Sequence, residues 1–272
     1  MRPITRRNSA KGLICIPQEW TLRVYRAEVI VLRRINLGET DKVVTLLSRQ
    51  YGKLSAVAKG ARKPTSRIAG ATEVFSCCSV MLALGRNLDV LTQSEVKVSF
   101  PALRTDLGRF AAASYITELT DAILPERLPA PAIFDLLLGA LSALQSDANP
   151  SLVARAFELH AAREQGYEPT FTVCAQCHAP LGSPAPGFSP ALGGAVCASC
   201  VGRVRDAERV APNVIRLAQR LLSVPLQRAS ESGAGHHELT TLGRLMRAHI
   251  EYRTERRVKS AEFMDALVAT TQ

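Results

Sequence analysis

Four cysteines form two pairs of the kind that bind metal ions. Two residues separate Cys174 from Cys177 and Cys197 from Cys200, and nineteen residues lie between the pairs. Each Cys-x2-Cys turn places two thiolates on one edge of a tetrahedron, so two such turns supply the four soft ligands that zinc prefers. Four protein sulfurs leave no position open for water or substrate. The spacing therefore predicts one structural Zn²⁺.

The segment between the two pairs is rich in Gly, Pro and Ser and too poor in apolar residues to build a core. Metal binding replaces such a core in small zinc domains, where it contributes about 10–16 kcal/mol. Two other interpretations of the cysteines are open. The string from Cys174 to His178 matches a c-type haem attachment motif, which leaves the second pair unexplained. A thioredoxin-like redox pair would begin a helix, whereas Pro180 favours a ribbon.

The excess positive charge lies in the first hundred residues. They hold seventeen Lys and Arg against seven Asp and Glu, and residues 42–72 contain seven basic residues and no acidic one. Such a one-sided field indicates a polyanionic partner, the alternative being a solvated face that maintains solubility. The candidate contacts to the phosphates of such a polyanion are Lys42, Lys53, Lys59, Arg62, Lys63, Arg67 and Arg86, followed by Arg33 and Arg34.

Arg33 and Arg34 are neighbours, and neighbours in a strand face opposite ways, so one of them must point inward or lie at a strand end.

The basic region has few aromatic residues, chiefly Tyr25, Tyr51 and Phe75. We therefore expect little aromatic stacking on bases. Residues 251–259 form a weaker basic candidate, because two glutamates partly cancel four cations.

Short runs of β-type residues surround the cations, and the spacing of apolar residues becomes helical after residue 100. Five short strands in about 75 residues suit a closed barrel, and the five-stranded OB-fold is a barrel that binds nucleic acid. The predicted strands are 27–35, 42–48, 54–59, 74–84 and 88–96. The predicted helical segments are 107–123, 133–144, 151–165, 214–222, 242–252 and 262–268.

The predicted architecture is thus α+β and multidomain. A basic N-terminal extension covers 1–24, an OB-fold barrel 25–100, and an all-helical domain 101–272 with an inserted four-cysteine zinc ribbon at 172–203. No Walker-type phosphate loop, dinucleotide fingerprint, His-Glu-x-x-His or Gly-x-Ser-x-Gly occurs. No stretch approaches the ~18 apolar residues of a membrane span. We expect a cytoplasmic binding protein rather than an enzyme or a membrane protein.

Five short motifs stand out along the chain: Gly38-Glu39-Thr40-Asp41-Lys42, Gly52-Lys53-Leu54, Ala58-Lys59-Gly60-Ala61-Arg62-Lys63, Ser66-Arg67 and Phe188-Ser189-Pro190. In these motifs the sequence resembles the RecO family of bacterial recombination mediators, over most of its length apart from about twenty extra residues before Ala27. The resemblance implies binding of single- and double-stranded DNA, annealing of complementary strands, and action with RecR. It further implies loading of RecA, at the nucleoid, onto DNA coated by single-stranded-DNA-binding protein.

Two other functions remain open. A zinc-ribbon transcription regulator would read bases with Arg, Asn or Gln, yet residues 173–202 contain one Gln and no Arg, Lys or Asn. An RNA-binding protein could use the same barrel, and competition between RNA and DNA of one sequence would separate the two cases.

Overall fold

The computed structural model describes residues 24–146, 149–181 and 186–264. All but the last residue of the predicted basic extension 1–24 lies outside the described residues. The predicted helix 262–268 also lies largely outside them. The described chain forms a closed five-stranded barrel followed by helices and a small three-stranded sheet. The fold class predicted from the sequence is therefore confirmed.

The barrel closes in the order β1-β2-β3-β5-β4. Strands β3 and β5 pair in parallel, and the other neighbours pair antiparallel. Alternating apolar residues such as Val29, Val31 and Leu46 fill the interior, and a bulge in β1 lies between Val31 and Arg33. The strands are β1 (Val24–Leu37), β2 (Asp41–Ser48), β3 (Gly52–Ala58), β4 (Cys77–Ala83) and β5 (Asp89–Val98).

Helix boundaries follow local capping signals. Asp106 accepts a hydrogen bond from the backbone N–H of Arg109 at 2.8 Å, and Asn149 caps the fourth helix in the same way. Proline occupies the first position of the third, fourth and fifth helices, where its missing N–H costs nothing. The helices are α1 (Ala102–Thr105), α2 (Leu107–Ile123), α3 (Pro131–Gln145), α4 (Pro150–Glu164), α5 (Pro212–Ser223) and α6 (His236–Thr254).

The barrel and the helices share one hydrophobic core. Ile30, Leu32, Leu47 and Phe75 face away from the barrel interior and are buried in the same cluster as the helical apolar residues. The Phe75 ring meets Phe110 of α2 edge to face, with ring centroids 5.8 Å apart. One outer face of the barrel is therefore a packing surface for the helices.

The ribbon inserted between α4 and α5 carries the four cysteines. Its sheet has the order β7-β6-β8, formed by β6 (Gly187–Ser189), β7 (Gly194–Val196) and β8 (Glu208–Arg209). Phe188 and Ala195 are buried in the helical core, and the Phe188 ring stacks on Phe171 at 5.8 Å. The ribbon is thus anchored to the helices through its sheet. Among the described residues, no helix has the length and apolarity needed to cross a membrane.

Candidate metal centre and nucleic-acid interface

The four cysteine sulfurs converge on one point. The Sγ atoms of Cys174, Cys177, Cys197 and Cys200 all lie within 4.8 Å of one another, and those of Cys177 and Cys197 are 3.7 Å apart. A tetrahedron with Zn–S bonds of about 2.3 Å has sulfur–sulfur edges of about 3.8 Å. The spacing fits a tetrahedral metal ion, and the cluster could hold one.

Backbone hydrogen bonds shape the two cysteine turns. The N–H of His178 donates to the carbonyl of Cys174 at 2.9 Å, and the N–H of Cys200 donates to the carbonyl of Cys197 at 3.0 Å. The backbone N–H of Cys197 also donates to the Cys174 sulfur at 3.3 Å, which ties one turn to the other. The protein itself therefore holds the sulfurs in place, as a metal centre requires.

The surroundings favour thiolates at two of these positions. A hydrogen bond with the Ser199 hydroxyl, together with the neighbouring thiols, lowers the pKa of Cys197 to about 6. The pKa of Cys174 is lowered as well. Burial acts to raise it, but hydrogen bonds from backbone N–H groups, chiefly that of Cys197, outweigh the effect of burial. Because metal-bound cysteine is a thiolate, both shifts suit metal binding, whereas hydrogen bonding with Cys197 raises the pKa of Cys200 to about 12.

Four of the predicted phosphate contacts form one exposed group after β3, the cationic loop: Lys59, Arg62, Lys63 and Arg67. Hydrogen bonds fasten this loop to the β1–β2 turn. The Arg62 guanidinium donates to the carbonyl of Gly38 at 2.9 Å, and the N–H of Gly60 donates to Asp41 Oδ1 at 2.8 Å. The Gly60 N–H is also the main cause of the lowered pKa of Asp41. The cations are therefore exposed on a backbone that is held in place.

Arg34 and Lys42 are tied to one acidic residue. Lys42 Nζ lies 3.4 Å from the Glu73 carboxylate and 3.2 Å from the Thr72 hydroxyl, and Arg34 forms an ion pair with Glu73. Arg34 pairs across the sheet with Val44, whose side chain faces the barrel interior. Arg34 is thus the member of the Arg33–Arg34 pair that turns to the inner side. Both cations are already partly neutralised.

Lys53 lies at the junction of the two domains. Its Nζ donates to the backbone carbonyl of Asp121 in α2 at 2.6 Å and lies 3.1 Å from that residue's carboxylate, and its side chain is 11% exposed. Arg33 shares the Asp121 carboxylate at 3.5 Å, but its side chain is 56% exposed. Lys53 is therefore used within the protein, whereas Arg33 is accessible from solvent.

Arg86 is exposed in the β4–β5 turn, away from the cationic loop. Strands β3 and β5 run parallel, with Ala56 of β3 beside Asp89 of β5. Arg86, which precedes Asp89, therefore lies toward the start of β3. The cationic loop follows the end of β3 instead. The nine predicted contacts are thus the four exposed residues of the cationic loop, the exposed Arg86, and four that are paired with acidic residues. These four are Arg33, Arg34, Lys42 and Lys53, of which Arg33 is the most exposed.

Sequence reasoning missed the residues that join the domains. Arg127, in the α2–α3 linker, forms an ion pair with the buried Asp89 at 3.0 Å, and the Tyr25 hydroxyl donates to the same carboxylate at 2.5 Å. Burial is the main reason that the pKa of Tyr25 is raised. Arg49 of the barrel pairs with Asp135 of α3 at 2.5 Å. Sequence spacing carries no sign of these pairs, because their partners lie far apart along the chain.

The class of protein is now clear: it is an OB-fold protein with a closed thiolate centre. Its barrel carries an exposed cationic loop and is joined to a helical domain that holds the four-cysteine ribbon. Comparisons with known proteins specify the family. Residues 22–100 match the model of the Recombination protein O N terminal family, and residues 104–262 match that of the Recombination protein O C terminal family.

Curated relatives agree with this assignment. DNA repair protein RecO of Roseiflexus sp. (strain RS-1) is 40% identical over 89% of this chain and 86% of the relative. DNA repair protein RecO of Symbiobacterium thermophilum is 39% identical over 90% of this chain and 98% of the relative. That of Pelotomaculum thermopropionicum is 38% identical over 90% of this chain and 94% of the relative. The chain therefore belongs to the RecO family, as its motifs indicated.

Proposed function

We propose that this protein is a non-enzymatic DNA-binding mediator of recombinational repair that acts in the bacterial cytoplasm. It binds single- and double-stranded DNA and anneals complementary strands. With RecR, it helps to load RecA onto DNA coated by single-stranded-DNA-binding protein. Membership of a family whose members are named DNA repair proteins supports this role. The observation that carries DNA binding is the exposed cationic loop, which has no acidic residue of its own although Asp41 lies beside it.

Annealing requires two polyanions to approach each other, so the protein has to reduce their repulsion. Each phosphate that a cation neutralises releases condensed counterions, and the log–log salt slope is about −0.7 per contact on single strands. Four contacts from the cationic loop would give a slope of about −2.8. Phosphate contacts carry no sequence information, so such a protein binds any strand and releases it to its complement.

We propose further that the cysteine centre holds one structural Zn²⁺. Cys174, Cys177, Cys197 and Cys200 would be its ligands, and four thiolates would close its coordination sphere. The ion would supply a cross-link between the two cysteine turns and no reaction chemistry. Because Phe188 lies between the ribbon and the helical core, this cross-link would also maintain the packing of the ribbon on the helices.

Reversal of three loop charges tests DNA binding. The full chain with Lys59→Glu, Arg62→Glu and Lys63→Glu is compared with the wild type by fluorescence anisotropy on a labelled single strand at several salt concentrations. We expect weaker binding and a salt slope smaller by about 2.1. A control with the same change in net charge carries glutamates at three exposed arginines of the helical half: Arg203, Arg205 and Arg216. Equal losses in both variants would contradict the proposed interface.

Annealing of complementary strands coated by single-stranded-DNA-binding protein, with and without RecR, tests the mediator role. The wild type should accelerate annealing, and the loop variant should not. A competition in which RNA displaces the protein more readily than DNA of the same sequence would favour an RNA-binding function and overturn the proposal.

A further inference from the structure

An apolar row crosses the outside of the barrel, beyond the outer residues of β1 and β2 that pack on the helices. Ile35 lies opposite Val43, Val43 opposite Val57, and Val57 beside Val90. Directly paired residues share one face of a sheet, so the four side chains form a line across β1, β2, β3 and β5. At about 4.8 Å between strands, the line is about 14 Å long.

The apolar row is accessible, as is Leu37 two residues beyond Ile35 on β1. Ile35 is 51% exposed, and the three valines are partly exposed. Ile30 and Leu47 also point outward from β1 and β2, yet both are buried under the helices. A continuous apolar line that the fold leaves on the surface indicates a binding surface.

Cations lie on both sides of this row. Lys59 is the first residue after β3 and lies two residues beyond Val57, so the cationic loop begins near the end of the row. On the other side, Arg33 precedes Ile35 by two residues, and Arg86 is in the turn before β5. A ligand that matches this pattern has an anionic backbone and apolar faces. Single-stranded nucleic acid is such a polymer.

The aromatic residues of the barrel cannot take this role. Tyr25, Tyr51 and Phe75 are all buried, with at most 6% of their surface exposed. Aromatic stacking is the usual contact of single-strand binders and contributes about 1–3 kcal/mol per base. In this barrel the exposed apolar groups are aliphatic, so contact with bases has to be made by isoleucine and valine.

We propose that the apolar row contacts the bases of single-stranded DNA while the cations on both sides hold its phosphates. This inference rests on the proposed DNA-binding function. A duplex keeps its base faces stacked inside, so the row contacts single strands alone. Aliphatic contact is tolerant of sequence and weaker than aromatic stacking, which suits a protein that has to release the strand when its complement arrives.

Binding to a base-free strand tests the proposal. The affinities of the full-length protein for labelled oligothymidine and for an abasic oligonucleotide of equal length are compared at one salt concentration. The wild type should bind oligothymidine about three- to tenfold more tightly. Ile35→Thr combined with Val57→Thr should remove this preference and leave the salt slope unchanged. Threonine keeps the β-branched shape, so the strands are retained. The matched control is Val98→Thr, an exposed valine outside the row.

The outcomes separate this proposal from the proposed function. If the wild type bound neither oligonucleotide, the DNA-binding function itself would fail. If it bound both equally, or if the Ile35→Thr, Val57→Thr variant kept the preference for bases, DNA binding would stand and base contact would be refuted. Unchanged DNA binding in this variant with loss of binding to RecR would assign the apolar row to a protein partner instead.

Discussion

Two lysines of the same basic run, Lys53 and Lys59, should respond oppositely to the same substitution. Lys53→Met keeps the aliphatic stem but removes the ammonium that binds Asp121 at 2.6 and 3.1 Å. Removing one partner of a fully buried pair costs about 3–5 kcal/mol. Asp121 is 24% exposed and keeps Arg33 at 3.5 Å, so water and Arg33 offset part of that loss. We expect the free energy of unfolding to fall by about 2 kcal/mol.

Thermal unfolding and DNA titration measure the two effects separately. A loss of about 2 kcal/mol corresponds to a Tm lower by about 4–8 °C in a chain of this size. The salt slope of DNA binding by Lys53→Met should equal that of the wild type. Lys59→Met should leave stability within about 0.5 kcal/mol and reduce the slope by about 0.7. A Lys53→Met protein with wild-type stability and weakened DNA binding would refute the assignment of Lys53 to the domain junction.

Three further predictions concern the ribbon, the buried histidines and the domain junction. Cys197→Ser should abolish binding of one equivalent of metal, measured by elemental analysis, and increase proteolysis of the ribbon. Burial lowers the pKa of His249 and His160 below about 6.5, so the unfolded chain binds more protons. The stability contributed by these histidines should therefore be complete above about pH 6.5 and decrease as the pH falls below it. The decrease should be less steep in His249→Gln. Denaturant midpoints that do not change with pH would contradict this prediction. Gly52→Ala places a Cβ against a backbone carbonyl group of the α2–α3 linker, whereas the Cβ of Gly38→Ala meets nothing within 4 Å. Gly52→Ala should therefore lower the free energy of unfolding by several times the ~1 kcal/mol expected for Gly38→Ala. Equal melting temperatures of the two variants would exclude that clash.

The alternating pattern of the first hundred residues was sufficient to predict the closed barrel, because strand periodicity is local. The cysteine spacing likewise brought four sulfurs together, since each turn is set by two intervening residues. The roles of the cations were not predictable in this way. Lys53 and Lys59 look equivalent in the sequence, and only the pairing of β3 and the docking of α2 place one beside Asp121 and the other in solvent.

The charge asymmetry of the sequence overstates how independent the two halves are. Several basic residues of the barrel find their counter-charges on α2 and α3, as Lys53 does on Asp121 and Arg49 on Asp135. The outer apolar residues of the barrel are buried against the same helices. A barrel without the helices would therefore expose an apolar face and regain cations that the intact protein neutralises. The helical half therefore neutralises some of the cations that would compete with the cationic loop, while Glu73 of the barrel pairs with Arg34 and Lys42. In this way the neutral half of the chain helps to determine where DNA binds.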